Sequence, residues 1–426
     1  MKKIKCDVVV VGAGPGGSMA AKTCAKYGLD TVLVERKEYP ARPEINFCMV
    51  HRRLLDYIKI DKKIIESPIR GLVSYSPDGR KISTYEPPGY EFGYQVNRKT
   101  FDRELLKLPL KAGAEVLTKT RATGLIREDG RIKGIKAKIE EKEEVEIRSN
   151  IVIGADGVQS KVGRWAGIYD KGLNLNDSLL VIESVLDDVN MDEEERLTYF
   201  EWFGYKHLPD IVFASGPKGD GKVVLDTMRF KRPHYPTKKG EFFDAERYFI
   251  KNHPFFSRSK IVERSGGVIP FNQFKKHITD GVMLVGVTAH HNNPIRQDGL
   301  IQAMENGVLS GEVAVEAHEE GDFSSEFLSR YDKRWYRLYG EKYFLNYYIV
   351  RFYDYLPNKD INRFFSLLED NNYTFTDEIF KEASKSPKII SKFINGLKNE
   401  GWGINDMFSL VSLLKKYHRN FWDTFL

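Results

Sequence analysis

Cysteine is scarce in this chain of 426 residues. Cys6, Cys24 and Cys48 are the whole set, too few and too scattered for a disulfide framework or a zinc site. A reducing, cytoplasmic setting and no bound metal are the expectations. Long apolar runs are missing as well, and no stretch approaches the ~20 residues that a membrane span needs. The opening "MKKIKCDVVVVGAG" enters a strand directly, and glycine interrupts its apolar run too early for a signal peptide. Any membrane contact is therefore expected to be peripheral, at the inner surface. Charge of one sign is barely in excess: 66 Lys+Arg against 60 Asp+Glu leave a net +6. That excludes the concentrated basic surface of a nucleic-acid binder but suits an anionic ligand or lipid surface. Repeats, low-complexity tracts and flexible linkers are absent, so the pieces should pack as one body.

What is present describes an α/β protein of two or three domains, or of one large α/β domain with an appendage. "CDVVVVGAGPGGSMAAKTCAKYGLDTVLVERK" reads as a buried β-branched strand, a glycine turn, a helix stopped at Gly28, and a second strand. The segment from Tyr39 to about Tyr94 has no clear period and is rich in Arg, Pro and aromatics. "NRKTFDRELLKLPLKAGAEVL" predicts a helix ending at Gly113 and then a strand. An antiparallel meander follows, with turns at Asp129-Gly130 and around Glu141, returning to the buried strand "IVIGADG". "EEKEEVE" at Glu140–Glu146 reads as a solvated hairpin. "SLLVIESVL", "DIVFASGP" and "KVVLDTMRF" suggest a mixed sheet between Ser178 and Ile269. "GVMLVGV" is another buried strand, and "GLIQAMENGVLSGEVAVEAHEEG" is a long helix. From Glu326 the chain reads as helical and aromatic.

Gly12, Gly14 and Gly17 form a GxGxxG turn. The first permits a tight turn, the second lets the backbone approach a pyrophosphate, and the third allows close helix–strand packing. The turn follows a strand, opens a helix and reaches Glu35 at the next strand end, where an acid can accept from ribose hydroxyls. This pattern alone does not separate NAD from FAD. "IGADGVQSKVGRWAG" adds Asp156 and Gly157 at the carboxyl edge of the sheet, and "LVGVTAHHNNPIRQDGLIQAM" adds a strand, a loop and a helix N-terminus aimed at the same edge.

These three segments, in this order and spacing, resemble the geranylgeranyl reductase family of FAD-dependent proteins with the para-hydroxybenzoate hydroxylase fold. The resemblance runs over about Asp7–Ala314 and more loosely into the aromatic tail. It implies an FAD-binding, Rossmann-like doubly wound sheet, a mixed-sheet substrate domain and a C-terminal helical region. The corresponding boundaries are 1–170 with 265–325 for a discontinuous FAD domain carrying an insert at 40–95, 171–264 for the substrate domain, and 326–426 for the helical region. Archaeal members saturate prenyl chains of membrane-lipid precursors, so the implied activity is FAD-dependent reduction of carbon–carbon double bonds in an isoprenoid phospholipid precursor. Ferredoxin, NAD(P)H or a reduced deazaflavin is the implied electron donor.

Carried over by position, Gly12, Gly14, Gly16, Gly17, Glu35 and Arg36 would meet the ADP half of FAD. Arg98, Ala122, Asp156 and Gly157 would contact it further along. Cys48, Met49, Gly286, Val287, Gly299 and Leu300 would lie about the flavin ring and its ribityl chain. Alkene reduction needs a hydride on one carbon and a proton on the other, and Cys48, His51 or a bound water is expected to give the proton.

The chain departs from the family at the ring end. Gly286-Val287 replaces Gly-Asp, Arg296-Gln297-Asp298-Gly299 replaces a glycine run, and Met49, Val50 and His51 follow the cysteine where small residues are usual. The Tyr-x-Trp-x-Phe-Pro signature is reduced to "DIVFASGPKGDG", with Phe213, Pro217 and Gly219 retained. Losing the carboxylate at Val287 removes a charge-assisted bond worth roughly 1.5–3 kcal/mol. FAD should weaken without being lost, and Asp298 offers a substitute carboxylate. His290 and His291 read as polar residues of a loop–helix junction, and Cys24 as core packing. The aromatics Tyr331, Trp335, Tyr336, Tyr339, Tyr343, Phe344, Tyr347, Tyr348, Phe352, Tyr353 and Tyr355 fit either a helical core or a lipid-lined path. Two competing functions remain open on sequence: an FAD-dependent monooxygenase or other oxidoreductase of this fold, and a non-catalytic relative that binds lipid or a partner.

Overall fold

The computed structural model describes residues 2–40, 48–58, 62–86, 90–169, 178–204, 211–230, 240–271, 276–294 and 297–340, with scattered positions from 343 to 366. The helices among them are α1 (Pro15–Lys26), α2 (Arg98–Lys111), α3 (Lys161–Ala166), α4 (Glu193–Arg196), α5 (Glu241–Asn252), α6 (Leu300–Glu320) and α7 (Ser325–Trp335).

A six-stranded sheet carries the glycine turn. Its order is Ile278–Thr279, Val282–Leu284, Ile151–Gly154, Val8–Val11, Thr31–Val34, Glu115–Leu117. All its pairs are parallel except the edge pair between the first two. Its β-branched runs are explained by burial on both faces. Val8, Val10, Leu33 and Ile153 pack toward α1 and α6, while Val9, Val11, Val32 and Val152 pack the other way. That second face is covered by α3 and by the meander sheet, ordered Lys2–Lys5, Glu143–Arg148, Arg131–Ile139, Thr120–Glu128.

Helices α1 and α6 lie close because α6 presents glycines to α1. A Cβ on Gly307 would sit 2.2 Å from Gly16 O, and one on Gly311 would sit 2.6 Å from Thr23 Cβ. Cys24 belongs to this core, as expected.

A seven-stranded sheet forms the other large layer: Lys260–Pro270, Ser178–Asp187, Lys222–Phe230, Ile211–Gly219, Thr198–Phe203, Gly71–Tyr75, Lys81–Tyr85. One face packs on α5 through Leu186, Trp202, Phe213 and Leu225 against Phe249 and Phe256. The other face carries Leu179, Val181, Val212 and Phe271, with Tyr347 and Val350 packed on it.

The stretch from 39 to 94 is more regular than its sequence suggests. It supplies Met49–His51, Ile65–Ile69 and Gly93–Val96 to a three-stranded sheet. Gly71–Tyr75 and Lys81–Tyr85 instead close the edge of the seven-stranded sheet, so the segment expected as an insert of the cofactor unit is shared between layers. These strands have three to five residues, too short for periodicity to stand out. The aromatic helix begins as expected with α7 and widens into a π-turn over Tyr336–Gly340. Phe344, Tyr348, Phe352, Tyr353 and Tyr355 lie outside the described residues.

Candidate functional site

The glycine turn has the geometry of an anion cradle. Gly12 adopts φ +102°, and a Cβ there would sit 2.4 Å from Ala155 O. A Cβ on Gly17 would sit 1.9 Å from Gly12 O, so this glycine serves packing. Gly16 is likewise packed, toward Val285 and Ala303 of α6. Gly14 differs: nothing lies within 4 Å of a Cβ built on it, which leaves the crest of the turn open. Helix α1 starts there with Pro15, no side-chain cap and no acid in its first turn. Its unpaired N–H groups and positive dipole end are left for a ligand's phosphates.

Glu35 is 8 % exposed and holds the turn in shape. Ala13 N donates to Oε2 at 3.0 Å, and Lys37 N donates to Oε1 at 2.9 Å. A carboxylate has about four acceptor sites, so capacity for ribose hydroxyls remains. Arg36 is exposed just beyond. Thr120 N donates to Glu35 O at 2.8 Å, which brings the strand holding Ala122 to the same edge.

Two further segments meet that edge. Asp156 is half-buried, and its Oδ2 accepts from Val162 N at 3.1 Å. Its Oδ1 is buried with no partner, the kind of acceptor a ligand hydroxyl would satisfy. Burial raises its carboxyl above the ordinary range. Gly157 N donates to Thr288 Oγ at 2.8 Å, tying this turn to the short 3₁₀ segment Gly286–Ala289. Thr288 is thus a site residue that sequence reasoning missed. Within the segment Gly286, Thr288 and Ala289 are buried and only Val287 is half-exposed. Asp298 is half-buried and accepts from Gln302 Nε2 at 3.3 Å, so the proposed stand-in carboxylate is engaged along its own helix. Gly299 caps α6 through its backbone, since a Cβ would sit 2.3 Å from Asn292 Oδ1. Arg296 lies outside the described residues.

Cys48 is buried with Met19, Leu300, Ile301 and Met304 near the start of α6. Arg98, the first residue of α2, places Nη1 at 4.0 Å from Cys48 Sγ and Nε at 2.8 Å from Asp102 Oδ1. Burial pushes the Cys48 thiol up, with Arg98 opposing, so the sulfur is protonated at neutral pH. Met49 is half-buried and pairs with Gln95. His51 is separated from Cys48: it is exposed, its Nδ1 accepts from Arg53 N at 3.1 Å, and it lines a surface pocket with Arg52 and Tyr90. The cause is strand alternation. Positions 48 and 51 differ by an odd number, so their side chains leave opposite faces.

His290 and His291 lie in the loop between the 3₁₀ segment and α6, and both are buried. His291 stacks on Trp335 at 4.3 Å and 15°, and His277 meets its edge at 4.3 Å. His277 Nδ1 lies 2.9 Å from Asp332 Oδ1. Tyr331 OH donates to Leu284 O at 2.9 Å. Tyr331, Trp335 and Tyr343 are therefore core, and they brace the flavin-end loop against α7.

On the seven-stranded sheet the retained Phe213 stacks on Phe249, on the α5 side, at 3.9 Å. The opposite face holds two buried carboxyls that sequence reasoning passed over, Glu183 and Asp226, on neighbouring strands. The signal was there: each is the one acid within an otherwise largely apolar strand, "SLLVIESVL" and "KVVLDTMRF".

Comparison with known proteins places this geometry. Residues 5–334 match the FAD binding domain family. A digeranylgeranylglycerophospholipid reductase of Methanothrix thermoacetophila is 38 % identical over 381 residues, covering 88 % of this chain and 94 % of the relative. The reductase of that name in Methanosarcina acetivorans is 39 % identical over 336 residues, covering 77 % and 80 %. A solved geranylgeranyl bacteriochlorophyll reductase-like protein of Thermoplasma acidophilum superposes with TM-score 0.83 at 28 % identity, covering 92 % of this chain and all (100 %) of that one. A flavin-dependent brominase shares the fold, with TM-score 0.70 at 17 % identity over 97 % of this chain. The chain belongs to the FAD-binding geranylgeranyl reductase family that includes the digeranylgeranylglycerophospholipid reductases.

Proposed function

We propose that this protein is an FAD-dependent oxidoreductase that reduces carbon–carbon double bonds in the geranylgeranyl chains of an archaeal-type phospholipid precursor. The observation that carries the reading is its near full-length likeness to the named reductases, joined to a cradle that fits FAD. The open crest at Gly14, the uncapped start of α1 and the unpartnered Asp156 Oδ1 support that fit.

In this reading Gly12–Gly17 takes the pyrophosphate, Glu35 and Arg36 the adenosine side, and Arg98, Ala122, Asp156 and Gly157 the middle. Cys48, Met49, Gly286, Val287, Gly299 and Leu300 surround the ring end. Bound and reduced, FAD supplies the hydride. The sheet face turned away from α5 receives the prenyl chain beyond the patch of Leu179, Val181, Val212 and Phe271 that Tyr347 and Val350 already cover. Residues 1–170 with 265–325 act as the cofactor unit, 171–264 as the substrate unit, and 326–426 as a helical cover.

Contact with the membrane is peripheral. No helix among the described residues is long and apolar enough to cross one. Exposed Leu55 and Tyr90 share a surface pocket with Arg52 and Arg53 and with Asp56 and Glu91, and Arg53 pairs with Glu305, so the rim offers apolar area and the attraction to an anionic lipid surface comes from the net charge of +6.

The test is anaerobic stopped-flow spectroscopy. The FAD-loaded protein is reduced with dithionite and mixed with a digeranylgeranylglycerophospholipid, and the oxidised flavin band is followed. Its return on adding lipid supports the reading, and a flavin left reduced by every prenyl lipid contradicts it. Ferredoxin, NADPH and reduced deazaflavin, supplied one at a time, then identify the electron donor. Rapid NADPH oxidation in air without lipid would favour the monooxygenase alternative.

A further inference from the structure

The face of the seven-stranded sheet turned away from α5 carries one row of buried and half-buried polar residues. Ser265, Glu183, Asp226 and Ala214 are successive partners across four adjacent strands. Glu201 follows next to Ala214, held by Ser74 Oγ at 3.0 Å. Glu183 and Asp226 stand directly opposite each other, and each is 6 % exposed. Two ionised carboxylates cannot share such a place: each would forfeit its hydration, and like charges at cross-strand distance repel. The pair must keep a proton.

The surroundings decide which carboxyl keeps it. Ser265 Oγ–H donates to Glu183 Oε2 at 2.8 Å, which favours a charge on Glu183. Asp226 Oδ1 has no hydrogen-bond partner, and its neighbour Ala214 offers none. Burial, then the Glu183 charge, push the Asp226 carboxyl well above the usual range. Lys218, on the same strand as Ala214, donates to Glu66 at 2.7 Å; Gln95 Nε2 donates to Glu66 at 3.4 Å and Gln95 Oε1 accepts from Cys48 N at 3.3 Å, which ties this end of the sheet to the Cys48–Arg98 wall. A pair kept only for packing would be poorly chosen, because apolar residues of similar size fill such a site without the desolvation cost.

We propose that Asp226, paired with Glu183, is the proton donor of the reduction. The proposal rests on the reductase reading above. One alkene carbon takes a hydride from reduced FAD and the other takes the carboxyl proton of Asp226. The π bond breaks and two C–H bonds form; the flavin loses two electrons, and Asp226 is left as a carboxylate that water reprotonates. A carboxyl raised toward the working pH is the acid that general acid catalysis favours.

Infrared spectroscopy of the ligand-free protein at pH 7 tests the pair directly. Wild type should show a protonated-carboxyl C=O band that is absent in Asp226→Asn and displaced in Asp226→Glu. In anaerobic single turnovers with dithionite-reduced FAD and a digeranylgeranylglycerophospholipid, Asp226→Asn should keep its FAD and slow lipid saturation roughly 10²- to 10⁴-fold. Asp226→Glu should recover part of the rate. Should Asp226→Asn fail to fold, Glu183→Gln serves: with the neighbouring charge gone, the acid band should ionise at lower pH. A missing band in wild type, a Glu183→Gln profile that does not move, or an Asp226→Asn enzyme at the wild-type rate overturns the proposal and leaves the reductase reading standing. A wild type inert toward every prenyl lipid overturns that reading and the proposal with it.

Discussion

Glu35 shows how one side chain serves the turn and the ligand together. Its two oxygens hold Ala13 N and Lys37 N, so Glu35→Ala removes the clamp on the turn and, in the proposed assignment, the acceptor for the ribose. FAD binding should weaken by about 10- to 100-fold, the worth of one charge-assisted bond. Fluorescence titration of the apoprotein measures this, and an unchanged Kd would contradict the assigned strand end. Val287 is the half-exposed member of a buried segment, so Val287→Asp should bind FAD as tightly as wild type or more tightly. A large loss in the same titration would mean that the segment takes another path and buries the new charge. Gly12, Gly14, Gly17 and Glu35 were legible because their signal is local, a fixed spacing within one strand–turn–helix unit. Glu183 and Asp226 were not, because strand register makes them a pair and no spacing in the chain encodes it. His51 was misplaced for a related reason: nearness in sequence to Cys48 suggested nearness in space, and strand alternation separates the two.

The segment Gly286–Ala289 and helix α7 behave as one element joined by imidazoles. His291 stacks on Trp335 at 4.3 Å, and His291 N donates to Gly286 O at 3.1 Å. Trp335→Ala should cost about 3–5 kcal/mol of stability by leaving a cavity, and should weaken FAD in the same preparation. Denaturant unfolding with and without FAD separates the two effects, and unaltered affinity would show that α7 does not brace the loop. The same element should respond to acid. Burial lowers His290 to about 3 and holds His291 well below its ordinary value. Both depressed values mean that the unfolded chain binds protons first, so stability is full above about pH 6.5 and lost as pH falls toward the folded values. The nitrogens of His291 have no partners, so His291→Phe should keep the stack and flatten the fall in Tm from pH 7 to 4. A parallel fall in the variant would contradict the assignment. At this scale α1, α2, α6 and the meander were readable from period and turn residues. The short strands between 49 and 96 were not, because what defines them is pairing with distant partners.

Among the described residues, four sheets and two long packed helices bring the start of α1, the Cys48 wall and the start of α6 together, and pair the acidic row across the seven-stranded sheet, from segments far apart in the chain. The net charge of +6 and the Leu55–Tyr90 rim lead to one expectation at this scale. The protein should sediment with anionic phospholipid vesicles at low salt and be released at high salt, since exposed charges are screened within about 8 Å at physiological ionic strength. Equal binding to neutral vesicles would remove the electrostatic part of the contact. The family was readable at the ADP end of the site, where the cradle keeps the common pattern, and harder to read at the ring end, where Val287 and Asp298 depart from it. That altered end is where the central claim is most exposed, and product mass tests it most directly. With dithionite-reduced FAD under strict anaerobiosis, a digeranylgeranylglycerophospholipid incubated with the protein should gain mass in steps of two hydrogens. A lipid recovered at its starting mass, from protein that demonstrably holds reduced FAD, would contradict it.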